Sequence, residues 1–253
     1  MPVTPKSDVH TGNEAGASIS VIVVTLNEEK NLPGLFACLR GQTDRCFDLI
    51  VIDGCSKDKT NALVEEASDL VTCHVIERDF GFYDALNKGV RAVRTKFYLV
   101  VGADDRLAPD AIANFRAAAA DADIVVADVE AGGQIRRGFH PEKAWIGPSR
   151  TMTSHSVGTL IRATLHETYG YYSFRYPTLA DWHFLKRIFI APGARVRSGS
   201  FVAGTFAMDG LSNRNHARTL CELWLVQRET GEGARAQYLL FLARLIYHFR
   251  NLI

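Results

Sequence analysis

The chain predicts an α/β fold: a mostly parallel mixed sheet sandwiched by helices, plus a helical C-terminal extension. Three observations predict it. Five short β-rich runs alternate with four helical stretches between residues 19 and 130. The runs are almost continuously apolar, as strands covered on both faces must be. Strand–helix–strand repetition also favours parallel pairing through crossover helices.

The elements follow in order. "ISVIVVT" (19–25) is the first strand, and "EEKNLPGLFACLRGQ" is a helix whose Leu32, Leu35, Phe36 and Leu39 recur at helical spacing. Gly41 is its stop. "DLIVID" (48–53) is the second strand, and the helix of "SKDKTNALVEEAS" takes Ser56 as its N-cap. "VTCHVI" (71–76), a helix over 82–94, "FYLVV" (97–101), a helix with Pro109 near its first turn, and "DIVVADVE" (123–130) complete the alternation. Beyond 130 the regularity fades. "AGGQIRRGFHPEKAWIGPSR" reads as a loop-rich excursion or hairpin, "GTLIR" as a strand, and 181–190 as a helix. Further strands fall within 194–213, and helix runs from about 217 to the end, broken near "TGEG".

The 253 residues suit one α/β domain with an extension. Residues 1–18 are polar, lack the apolar centre of a signal peptide and read as a flexible tail. Residues 19–216 form the main domain, divided near 130, and 217–253 the extension. With 29 Lys and Arg against 28 Asp and Glu, the charge is too balanced for a general nucleic-acid binder. No apolar run reaches the length of a membrane span. The five cysteines have no metal-ligand spacing and fit reduced, buried thiols of a cytoplasmic protein.

In parallel sheets, ligands sit beyond the carboxyl ends of the strands. That places Thr25, Asn27 and Glu28, then Asp53 and Gly54, then 77–83, then Asp104 and Asp105 along one edge. Two adjacent carboxylates after an apolar strand suit a hard divalent cation, magnesium or manganese, which in turn holds a diphosphate. The phosphate-cradling glycine loops are missing, which strengthens the need for a cation. The competing structural reading is a turn with a helix-dipole complement near Pro109.

Several separated stretches resemble the family 2 glycosyltransferases of GT-A fold, particularly bacterial polysaccharide-biosynthesis members. They are "SVIVVTLNEEKNL", "LIVIDGCSKDKT", "ERDFGFYDALNKGV" and "VVGADD", spread over a resemblance covering about 19–213. The resemblance implies an inverting transferase that moves a sugar from a nucleotide diphosphate sugar to a hydroxyl of a glycan or lipid-linked acceptor. It implies that Thr25, Asn27, Glu28, Asp53, Gly54, Asp79, Tyr83, Asp84, Asn87, Lys88, Asp104 and Ser212 bind the donor, with Asp53 facing the nucleoside base. The resemblance also implies Asp105 as the main cation ligand and Asp104 as the residue on the ribose and cation side. Gly102 departs from the Asn or Asp of many relatives, as Asp209 departs from a Gly.

"LADWHFLKR" is similar to the segment that carries the catalytic base, here Asp181. A capping role for Asp181, on a helix beginning at Trp182, stands beside that reading. His155 and Trp182 are acceptor-side candidates, each with a structural alternative. A metal-dependent nucleotidyltransferase and a non-catalytic sugar-nucleotide binder are the alternative functions. In the extension, Tyr238, Phe241, Leu242, Leu245, Phe249 and Leu252 make one apolar helical stripe flanked by Arg235, Arg244, His248 and Arg250. It suits peripheral contact with the inner face of the cytoplasmic membrane, a homodimer contact, or packing on its own domain.

Overall fold

The computed structural model describes residues 19–140, 155–207, 216–231 and 234–247. The first half follows the predicted alternation: β1 (Ile19–Thr25), α1 (Leu32–Arg40), β2 (Phe47–Asp53), α2 (Thr60–Glu66), β3 (Cys73–Ile76), α3 (Phe82–Ala92) and β4 (Phe97–Val100). A two-residue strand β5 (Arg106–Leu107), α4 (Ala111–Ala119), β6 (Ile124–Ala131) and β7 (Gln134–Arg136) come next. After a short 3-10 turn at 156–158 come β8 (Thr159–Arg162), α5 (Leu165–Tyr169), α6 (Ala180–Phe189) and β9 (Val196–Thr205). Helices α7 (His216–Glu229) and α8 (Ala234–Tyr247) form the extension.

Among the described residues, all nine strands join one sheet in the order β3-β2-β1-β4-β8-β6-β9-β5, with β7 paired to β6. The β3-β2-β1-β4 half is parallel throughout, so its carboxyl ends share one edge. The other half is mixed: β8 runs antiparallel to both β4 and β6, and β9 parallel to β6. The predicted hairpin is β6–β7, turning through Gly132 and Gly133, both at positive φ as a tight two-residue turn requires.

Strand alternation sorts the core into two layers. Ile19, Val21 and Val23 pack with Leu35 and Phe36 of α1, Val64 of α2 and Phe115 of α4. On the other face Ile22 and Tyr98 pack with Leu86 and Val90 of α3 and Phe184 and Ile188 of α6. Val226 of α7 joins this second layer, so the extension is packed partly against the sheet domain.

Some expectations are corrected. Ser56 does not cap α2, which starts at Thr60, because its hydroxyl is taken by Asp53. The cysteines are free thiols, but none is fully buried, and Cys46 and Cys221 are exposed. In α8 the apolar stripe is broader than predicted: Leu239 and Ile246 are exposed as well as Tyr238 and Leu242, and Trp224 lies against Phe241. Phe249 and Leu252 lie outside the described residues, as does the tail. Among the described residues no helix is long and apolar enough to cross a membrane.

The second layer contains an ordered polar chain. The Gly170 carbonyl accepts from His166 Nδ1 at 3.0 Å, so His166 Nε2 accepts from Tyr98 Oη at 2.7 Å. Tyr172 Oη in turn lies 2.6 Å from Tyr98 Oη. Burial lowers the His166 pKa from 6.5 to about 4, so the ring is neutral near pH 7. Between those values the unfolded chain holds a proton that the folded chain does not. Stability therefore falls as pH drops through this window. We expect this group alone to account for about 2–3 kcal/mol of acid destabilisation, by its linkage to protonation. Urea unfolding of native protein and His166→Phe at several pH values checks it; parallel pH slopes would assign the acid sensitivity elsewhere.

Candidate active site

The edge is built on a knot between the loops after β1 and β2. Thr25 and Asp53 are register partners at the strand ends. Asp53 is 0% exposed, and its carboxylate accepts from Ser56 N (2.7 Å), Ser56 Oγ (2.5 Å), Thr25 Oγ1 (3.0 Å) and Asn61 Nδ2 (3.2 Å). Both Asp53 oxygens are engaged in these bonds. They point inward because a carboxylate withdrawn from water needs such donors.

Asn27 and Glu28 extend the knot. Asn27, at φ 58, donates its N–H to Ser56 Oγ at 2.8 Å, and its Oδ1 accepts from Lys57 N at 2.9 Å. Glu28 N donates to Thr60 Oγ1 at 2.8 Å, and Gly54 N to the Thr25 carbonyl at 2.9 Å. The bare Gly54 leaves room for the Asp79 carboxylate, which any side chain there would meet.

The loop between β3 and α3 is held by acids and one lysine. Asp79 Oδ1 accepts from Gly81 N at 3.0 Å and Asp84 Oδ2 from Phe80 N at 3.1 Å. Lys88 Nζ pairs with Glu77 at 2.9 Å and Asp84 at 3.3 Å. Asn87 is buried and exchanges two 2.9 Å bonds with the Tyr172 backbone.

The paired carboxylates after β4 divide their work. Asp104 is exposed. Asp105 is 2% exposed, and its oxygens accept from Gly102 N (2.9 Å) and Ala207 N (3.0 Å). Burial pushes the Asp105 carboxyl above its ordinary range, those two N–H groups oppose the shift, and Asp104 adds to it. Of the two acids, Asp104 is thus the exposed one and Asp105 the buried one. Gly102 shapes the space beside them, since a Cβ there would lie 2.7 Å from Asp104 Oδ1 and 2.9 Å from Asp105 Oδ2.

The described residues contain no group of three or more His, Cys, Asp or Glu side chains able to hold a metal ion. That rules against a closed structural metal centre among them. One exposed carboxylate, Asp104, beside a glycine whose missing side chain leaves it room does fit magnesium or manganese, which take substrate phosphates and water as further ligands.

Asp181 stands in the first turn of α6, which begins at Ala180 with Leu179 as N-cap. It is not itself the cap. Tyr83 Oη donates to Asp181 Oδ1 at 2.7 Å and also lies 3.0 Å from the Thr178 carbonyl. Trp182 N donates to the same Oδ1 at 2.7 Å, which leaves Oδ2 as the oxygen without a described donor. Because Tyr83 opens α3 just beyond β3, this bond brings Asp181 to the shared carboxyl edge. Burial raises the Asp181 pKa; the Tyr83 and Trp182 hydrogen bonds lower it, and the charge of Glu222 raises it.

His155 stacks on Phe206 with ring centroids 3.8 Å apart, one residue from the Ala207 that holds Asp105. Trp182 is half-buried against the second core layer. Ser212 lies outside the described residues. Sequence reasoning missed Glu222, Tyr172 and the Thr178 peptide. Each acts through backbone groups, and no side-chain spacing marks such contacts.

Comparison with known proteins gives this arrangement a class: a glycosyltransferase of GT-A fold. The family model described as "Glycosyl transferase family 2" matches residues 20–201, and the chain belongs to that family. It is similar to a PGL/p-HBAD biosynthesis glycosyltransferase of Mycobacterium bovis, 31% identical over 211 residues, covering 79% of this chain and 80% of the relative. It is also similar to an undecaprenyl-phosphate 4-deoxy-4-formamido-L-arabinose transferase of Pseudomonas aeruginosa, 25% identical and covering 57% and 46% of the two chains. Solved structures share the fold. S. aureus TarS with UDP superposes at TM-score 0.63 and 17% identity, covering 92% of this chain and 72% of that one. The mannosyltransferase PcManGT of Pyrobaculum calidifontis, with GDP-Man and Mn2+, superposes at 0.64 and 19%, covering 83% and 63%.

Removing the knot's centre should cost stability. Asp53→Ala strands four donors in a buried space, and we expect about 2–4 kcal/mol of destabilisation. Denaturant unfolding checks it; a loss below about 0.5 kcal/mol, the range of an ordinary surface change, would show that the carboxylate does not organise the loops.

Proposed function

We propose that the protein is an inverting, divalent-cation-dependent glycosyltransferase that moves a sugar from a nucleoside diphosphate sugar to a hydroxyl of a glycan or lipid-linked acceptor. The observation that carries this reading is Asp181, aligned by Tyr83 at the carboxyl edge with one oxygen left over. Two relatives support the acceptor class by name: one acts in PGL/p-HBAD biosynthesis, and the other is named for undecaprenyl phosphate. Two structural neighbours, holding UDP and GDP-Man with Mn2+, support the donor and cation.

Asp181 Oδ2 accepts the acceptor hydroxyl's proton as the hydroxyl oxygen bonds to the anomeric carbon. The bond from that carbon to the diphosphate breaks on the opposite face, so the anomeric configuration inverts. Tyr83 keeps the carboxylate oriented through Oδ1, and a raised proton affinity suits a base near neutral pH. Asp104 would hold the cation, and Asp105 shapes the loop that presents Asp104. When bound, the cation neutralises charge on the leaving diphosphate.

Asp181→Asn keeps the shape and the bond from Trp182 but cannot take a proton. Turnover should fall by roughly two orders of magnitude or more while donor binding persists. NMR of the native product should show inversion; a retained anomer would defeat the mechanism. For the cation, UDP and GDP are tested as thermal-shift ligands with and without manganese, one of them stabilising the native protein in a manganese-dependent way. Asp104→Asn should abolish that dependence and leave the ligand-free melting temperature near native. An undiminished manganese effect in the variant would free Asp104 of this role.

A further inference from the structure

The N-terminus of α6 receives no side-chain cap from its own N-cap residue. The backbone N–H groups leading into it, those of Thr178 and Leu179, both donate to Glu222 Oε2, at 2.9 and 3.0 Å. Glu222 belongs to α7 in the C-terminal extension, 44 residues along the chain from Thr178. Thr178 thus stands between the two: its N–H is held by Glu222, and its carbonyl lies 3.0 Å from the Tyr83 hydroxyl that donates to Asp181.

Structural need alone explains this residue poorly. Glu222 is 5% exposed, and its Oε1 is buried with no hydrogen-bond partner among the described residues. A neutral side-chain carbonyl could accept the same two bonds, whereas a half-satisfied buried carboxylate lowers stability. A use for the negative charge lies close by, at Asp181.

We infer that Glu222 is a positioning residue for sugar transfer: it holds the Thr178–Leu179 backbone and thereby Asp181, making the C-terminal extension a working part of the active site. The inference rests on the reading of Asp181 as the base. Among the described residues, the titratable groups facing Asp181 are Tyr83 from α3, Tyr98 from β4, Tyr172 from the loop after α5 and Glu222 from α7. Glu222 is the only carboxylate among them, and its charge adds to burial in raising the proton affinity of Asp181. Backbone grip and charge act together, so two substitutions separate them.

The test uses the full chain labelled at aspartate carboxyls, with Asp181→Asn identifying the Asp181 resonance in an NMR pH titration. Glu222→Gln keeps an acceptor and removes the charge, so the Asp181 midpoint should move to lower pH. Glu222→Ala also releases the backbone. Its release of nucleoside diphosphate from GDP-mannose or UDP-N-acetylglucosamine should fall about ten- to a hundred-fold, as misplacement of a reacting group does, with donor KM near native. Glu222→Gln should recover most of that loss. Near-native turnover in folded Glu222→Ala, with Asp181→Asn inactive, overturns this inference and leaves the base reading standing. A fully active Asp181→Asn removes the base, and this inference with it. If Glu222→Ala does not fold, hydrogen exchange of the Thr178 and Leu179 amides in the native protein decides: exchange as fast as that of exposed amides overturns the inference.

Discussion

A carboxylate withdrawn from water must be given donors, and that requirement organises the working edge of this protein. Asp53, Asp105 and Glu222 are all buried; Asp53 is met by Ser56 N and by side-chain donors including Thr25 Oγ1, and Asp105 and Glu222 by backbone N–H groups from another segment. Asp53 ties the first two loops together. Asp105 joins the turn after β4 to the end of β9. Glu222 joins the extension to α6. The buried acids act as loop organisers, and Asp104 and Asp181 are left with oxygens directed elsewhere.

The sheet makes this economy possible. Parallel pairing of β3, β2, β1 and β4 delivers four loops to one edge, where no strand-to-strand bonds remain to order them. Side-chain carboxylates supply the missing order. Tyr83 extends it across the sheet domain, since its ring is buried in the second core layer while its hydroxyl reaches Asp181. Core packing and site alignment therefore share one residue. Burial, followed by the nearby Asp181 charge, raises the Tyr83 pKa well above its ordinary value, so the hydroxyl remains a donor.

The sequence by itself determined the alternation of strands and helices, the two-layer core and the edge on which the motifs gather. Those features follow from local periodicity and from the rule that parallel strands carry their loops at one end. It also singled out Asp181 and the Asp104–Asp105 pair. Only the tertiary structure decided which oxygens are free, because the deciding partners are remote: 28 residues for Thr25 to Asp53, 98 for Tyr83 to Asp181, and 102 for Ala207 to Asp105. A motif records which side chain stands at a strand end; whether it turns inward depends on donors that arrive from elsewhere in the fold. That is why the internal bonds of Asp53 and Asn87 were not legible in the sequence, and why Glu222 carried no signal at all.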